Sequence, residues 1–414
     1  MSDPAARDVD SSYSWFRLAV AVVMSSIGGV GMWSVVVALP AVQAEFGTDR
    51  GAASLPYSLV MLGFALGGVL MGRFADRRGV VQPVFVGSMV MSLGYILSGY
   101  ATSLWQFALV HGLLIGLLGS SATFAPLIAD ASRWFLRRRG IAVALCASGN
   151  YVAGFIWPRV IQHFIETAGW RATHIGIGLF CLATMLPMAL LLRRPAPQHD
   201  GALPPGLRGR AGIDLSPRAL QAVLVVAGLA CCLAMSMPQV HIVAYCGDLG
   251  YGVARGAEML SLMLGFGIIS RVASGFVADR IGGLATLLIG STLQGVALVL
   301  YLLFDGLWSL YVISALFGLF QGGIVPSYAI IVREYFRPDD AATRVGLVLM
   351  ATLFGMAIGG WLSGAIFNWT GSYAAAFANG AAWNLVNILI VGWLLMRTGG
   401  IQARGRGAPA PAAG

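Results

Sequence analysis

Arg271 stands in GFGIISRVASGFVADRIGG, residues 265–283, a run of apolar and small residues that otherwise reads as a membrane-crossing helix. An arginine at the centre of such a helix costs about 2.5 to 3.5 kcal/mol on insertion scales. Its guanidinium stays charged and presents a planar fork of N–H donors, which meets a carboxylate through two parallel bonds. Asp279 follows eight residues later. That is roughly 12 Å along a helix, too far for Arg271 to reach comfortably past its own helix end. Asp130, Glu166, Asp248, Glu258 and Asp305 all fall near the ends of apolar runs or in loops, so none is expected at the arginine's depth. An intramembrane cation without an obvious protein anion is read as the anchor for a visiting anion.

His241 and Asp248 sit seven residues apart in HIVAYCGDLG. Histidine titrates near neutrality and can bond a substrate or relay a proton, and an acid at the entrance can carry one. Packing or solvation of the cavity wall accounts equally for His241. Arg159, after Pro158 and close to His163, reads as an interfacial arginine, which leaves one central cation and therefore favours one carboxylate. The chain has no H-E-x-x-H, no G-x-S-x-G and no paired intramembrane carboxylates. No catalytic residue is assigned, and an enzyme is not expected. Lysine is absent throughout, which rules out a Walker A loop and leaves a gradient as the energy source for any transport. Cysteines 146, 181, 231, 232 and 246 lack metal-ligand spacing and read as small packing residues, so neither metal nor cofactor is expected.

The elements that must position these groups follow from composition. The 414 residues are 58% hydrophobic and 10% charged, with mean hydropathy +0.80, a polytopic membrane composition rather than that of a soluble domain. Runs near the twenty residues a bilayer requires give twelve spans, at about 16–39, 53–73, 81–100, 105–130, 140–163, 172–192, 218–243, 254–277, 284–304, 307–332, 344–367 and 373–396. The organisation predicted is a tail 1–15, a six-helix bundle 16–192, a Pro/Gly-rich linker 193–217, a second bundle 218–396 and a tail 397–414. The fold class is an all-α membrane protein with twelve transmembrane helices in two pseudo-symmetric bundles. The net charge of +9 comes from arginines in short loops and forms no basic domain, so no nucleic acid is implied. Those arginines concentrate in alternate loops, which assigns both termini to the cytoplasm. The opening MSDPAARDVDSSY reads as a polar tail without a signal peptide.

The halves repeat. GRFADRRG at 72–79 follows the second span and GFVADRIG at 275–282 the eighth; RWF at 133–135 corresponds to EYF at 334–336, and AGWR to TGSY ahead of spans six and twelve. Four matches in one order imply duplicated halves with a site between them near the bilayer midplane. Gly72, Asp76, Arg77, Arg78, Asp279 and Arg280 would latch the cytoplasmic side between bundles through charge-assisted and helix-end contacts; otherwise they only set topology. Among aromatics, Trp33, Tyr57, Phe124 and Tyr328 are candidate cavity residues, with packing as the bland reading. Pro126 and Pro326 would loosen the helices beside them.

The Gly-x-x-x-Asp-Arg-Arg-Gly loop, its weaker copy and the 6+6 layout resemble the major facilitator superfamily over nearly the whole chain. RWFLRRRGIAVALCASGNYVAG, GWR at 169–171, HIVAYCGDLG and Arg271 eight residues before the second-half aspartate more narrowly resemble its monocarboxylate transporter branch, including bacterial members and oxalate/formate exchanger relatives. The resemblance implies that Arg271 binds a substrate carboxylate and that spans one, two, four and ten line the cavity; Tyr328 also resembles a family tyrosine. It further implies a small organic monocarboxylate and a proton as partners, a monomer, and the cytoplasmic (inner) membrane as location. Two departures bear on mechanism. Span eleven, VGLVLMATLFGMAIGGWLSGAIF, lacks the lysine that oxalate exchangers pair with the arginine, which speaks for one carboxylate. Gly267 stands where animal members carry an aspartate, and their first-span lysine is missing, which puts a transplanted proton relay in doubt. Exchange, uniport, export of amphipathic compounds and, further off, a receptor or enzyme are the alternatives.

Overall fold

The computed structural model describes residues 9–194 and 215–405. Its helices are α1 (Ser12–Gly28), α2 (Val30–Phe46), α3 (Arg50–Arg78), α4 (Val81–Gly99), α5 (Leu104–Val110), α6 (Ala125–Trp134), α7 (Arg139–Leu191), α8 (Pro217–Asp248), α9 (Val253–Ile281), α10 (Gly283–Leu303), α11 (Leu307–Gln321), α12 (Ile324–Tyr335), α13 (Pro338–Thr370) and α14 (Tyr373–Gly405). Most of the expected linker, the outer part of the first tail and the end of the last lie outside the described residues.

Eleven helical stretches among the described residues are long and apolar enough to cross a membrane. The count differs from twelve because one stretch, Gly140–Leu191, runs 52 residues. Its backbone breaks at Gly169, where φ is 80° and ψ 157°, a region that glycine occupies without a Cβ penalty. The break falls between the fifth and sixth spans read from the sequence.

Helix starts follow local chemistry. Asp49 caps α3 by accepting the Ala52 N–H at 2.7 Å, and Ser216 caps α8 just before Pro217, which needs no N–H donor at that position. Spans four and ten are broken in corresponding places. After α5 the chain widens into π turns over His111–Gly119 and tightens into a 3-10 turn over Ser120–Thr123 before α6, where Pro126 stands in the first turn. In the second half α11 stops at Gln321, and α12 restarts at Ile324, two residues before Pro326.

The halves meet through α3 against α13 and α7 against α9. Gly360 and Gly364 let α13 approach α3. A Cβ on Gly360 would lie 2.9 Å from the Tyr57 ring, and one on Gly364 would lie 2.8 Å from the Arg50 carbonyl oxygen. Small residues one turn apart permit such backbone approach in membrane helices. Ser58 Oγ donates to the Ala357 carbonyl at 2.6 Å across the same seam.

Candidate substrate site between the two halves

Arg271 lies on α9 facing α7 of the other half. One terminal nitrogen donates to the Ala147 carbonyl at 3.2 Å, and the guanidinium carbon sits 4.4 Å from the centre of the Tyr151 ring. Its Nε is buried with no hydrogen-bond partner. The side chain is half-buried, and among the described residues no carboxylate pairs with it. A cation held by a carbonyl and a π face keeps its full charge. Asn150 and Tyr151 stand on the same stretch of α7, and Trp33 of α2 packs against it: Trp33 Nε1 donates to the Asn150 carbonyl at 3.2 Å, and Gly154 gives space to Trp33 and to Leu264 of α9. A small pocket beside them is lined by Ser25, Met32, Phe64, Thr123, Phe124 and Asn150. The Asn150 side-chain oxygen is buried there without a donor.

The other expected residues separate into three places. Tyr57 and His241 meet on opposite sides of Gly360: the Tyr57 ring packs against it, and His241 Nε2 bonds its carbonyl at 2.8 Å. A carbonyl only accepts, so Nε2 carries the proton and the buried, unpartnered Nδ1 is a free acceptor. Asp248, at the end of α8, receives Arg50 Nη2 and the Tyr373 hydroxyl, each at 2.8 Å. Tyr328 is buried inside the second half, where its hydroxyl accepts from Asn387 Nδ2. None of these four touches Arg271 in the contacts described.

The Asp-Arg loops lie at the far end of α3 and α9 from Arg50. Asp76, Arg77, Arg78, Asp279 and Arg280 are exposed, and a Cβ on Gly72 would meet open space. Asp76 pairs with Arg133 of its own half at 3.2 Å. Cross-half bonds gather at the Arg50 end instead, where Asn368 also accepts the Arg50 N–H at 3.0 Å and donates to Asp49 at 2.8 Å. The halves are therefore tied at the Arg50 end, while the Asp76 end carries exposed charge on both.

Three groups went unrecognised in the sequence. They are Tyr151 with Asn150, Arg50, and the buried pair of Arg17 with Asp130, joined at 2.7 and 3.0 Å. The only available signal was an arginine and an aspartate each placed just inside an apolar run.

Two contacting helical halves with a cation at their seam are an arrangement suited to a carrier. The family model described as Major Facilitator Superfamily matches residues 21–304 and 259–413, and the chain belongs to that superfamily of transport proteins. Among curated relatives, monocarboxylate transporter 13 of Bos taurus is 28% identical over 345 residues, covering 80% of this chain and 77% of that protein. Monocarboxylate transporter 11 of Homo sapiens is 27% identical, covering 91% and 82%. The fold is also that of a bacterial homologue of the human lysosomal transporter Spinster, solved inward-facing and unoccupied. That structure matches with TM-score 0.70 at 14% identity over 97% of this chain and all of the other. The nucleoside transporter NupG gives TM-score 0.66 at 14% identity, covering 93% and 99%.

Proposed function

We propose that the chain carries a small organic monocarboxylate together with a proton across the cytoplasmic membrane, by alternating access of its two halves. The observation that carries this reading is Arg271, embedded at the seam with one carbonyl and one ring as its described partners and, among the described residues, no acid to neutralise it. Its fork holds the substrate carboxylate. Relationship to monocarboxylate transporters supports the same chemistry. The absence of any ionisable residue from 345 to 367 supports a monoanion over a dianion.

Uptake of radiolabelled acetate, pyruvate, lactate and benzoate into proteoliposomes, against oxalate and succinate, tests the assignment. Preference for dicarboxylates, or stabilisation by uncharged or cationic amphipaths alone, would overturn it.

The Arg50 end faces outward in this reading. Asp248 is then an exposed acid at the outer end whose carboxylate charge holds Arg50 across the seam. An inward proton gradient should accelerate uptake severalfold; indifference to pH would point to exchange or uniport. Asp248→Asn should loosen the outer seam. A hydrogen bond to a charged group is worth about 1.5 to 3 kcal/mol, so labelling of Ser58→Cys by an impermeant maleimide should rise about tenfold, and an unchanged rate would assign the seal to the glycine packing alone.

A further inference from the structure

Arg271's described partners both belong to the opposite half, and one of them is an aromatic face. Gly267 lies four residues before Arg271 on α9, hence on the same side of the helix. A Cβ at Gly267 would lie 2.4 Å from Tyr151 Cε1 and 2.7 Å from Cδ1. The ring therefore fills the place a side chain would occupy at position 267, and from that wedge it lies beneath the guanidinium, 4.4 Å away. Tyr151 is 8% exposed, so the contact is largely desolvated, the setting in which a cation over a π face is strongest.

We infer that Tyr151 is a positioning residue for substrate binding: its ring, seated in the notch at Gly267, holds the Arg271 guanidinium so that its free donors face the substrate without neutralising its charge. The inference rests on Arg271 being the carboxylate anchor. A carboxylate in the ring's place would form an ion pair with the arginine and compete with the substrate for the same fork. The π face orients the cation and leaves that fork available. A side chain at position 267 and the ring at 151 cannot both occupy that place in this arrangement.

The test is uptake of acetate, pyruvate, lactate and benzoate by purified wild type, Tyr151→Phe, Tyr151→Leu, Gly267→Ala and Arg271→Ala in proteoliposomes, with KM and maximal rate measured for the best of the four acids. Tyr151→Phe keeps the ring and should hold KM within about twofold. Tyr151→Leu should raise KM about tenfold with little change in maximal rate, the signature of lost anchor geometry rather than lost fold. Gly267→Ala pushes the ring from its notch and should raise KM in the same direction; it carries the test if the leucine variant misfolds. A wild-type KM in Tyr151→Leu or Gly267→Ala, with Arg271→Ala inactive, would sink the role of Tyr151 alone. Equal damage from phenylalanine and leucine would assign the effect to the hydroxyl and overturn the stacking role. Normal uptake in Arg271→Ala, or no uptake of any of the four acids by wild type, would remove the carboxylate reading and this inference with it.

Discussion

Arg271→Ala is expected to reach the membrane in normal amount and to lose carboxylate uptake. Insertion should not suffer, because the substitution removes a charge that costs free energy in hydrocarbon. The side chain's protein contacts are one carbonyl bond and one ring, so little of the fold depends on it. Substrate binding should suffer heavily. Truncating one partner of a buried, hydrogen-bonded charge pair costs about 2 to 5 kcal/mol, roughly thirtyfold to several-thousandfold at 1.4 kcal/mol per factor of ten. Arg271→Lys keeps the charge but loses the planar fork and should fall between alanine and wild type. The measurement is initial uptake across substrate concentrations, with protein amount and melting temperature recorded for each variant. Wild-type uptake in the alanine variant would remove Arg271 from the site.

The second large effect is on stability and lies elsewhere. Arg17 and Asp130 join α1 to α6 through two bonds, with side chains 2% and 6% exposed, and Arg17 also lies 4.6 Å above the Trp134 ring. Arg17→Leu would leave a buried carboxylate without its counter-charge, a change expected to cost about 3 to 5 kcal/mol. Thermal melting in detergent should show a large fall. The double variant Arg17→Leu with Asp130→Leu should recover much of it, because replacing both charges by apolar groups removes the desolvation penalty along with the attraction. Failure of the double variant to recover would mean that the pair contributes through geometry that leucines cannot imitate. Neither residue approaches Arg271 in the contacts described, so transport by the double variant should persist.

The two roles an arginine plays here explain why only one was readable. Arg271 stands mid-span in a run with no acid nearby in sequence, and hydrocarbon makes such a residue conspicuous on its own. Arg17 and Arg50 sit close to span ends, where arginines are common and inexpensive, so nothing in their spacing separates a buried pair or a seam tie from a loop charge. Asp248 was noticed for its place in CGDLG, but its bonds to Arg50 and Tyr373 cross from one half to the other or link distant helices. Gly267 was conspicuous as a departure; that the Tyr151 ring occupies its missing side chain required both helices in place. Tyr328 and Trp33 show the converse, since the family resemblance placed them on cavity-lining helices but tertiary packing committed their polar atoms to Asn387 and to the Asn150 carbonyl.

Sequence by itself determined the solvent, the helical spans and the family, because bilayer thickness, backbone hydrogen bonding in lipid and the duplicated Asp-Arg loops act over a single helix or a short motif. It also singled out Arg271, since the cost of a charge in hydrocarbon depends on depth along one chain segment. Only the tertiary structure decided what faces that arginine, which end of the halves is tied and where one long helix folds back at Gly169. Those outcomes depend on side chains far apart in the chain meeting across a packed seam, where the fit of a ring to a glycine notch or of a carboxylate to a guanidinium is set by distances that no linear spacing encodes.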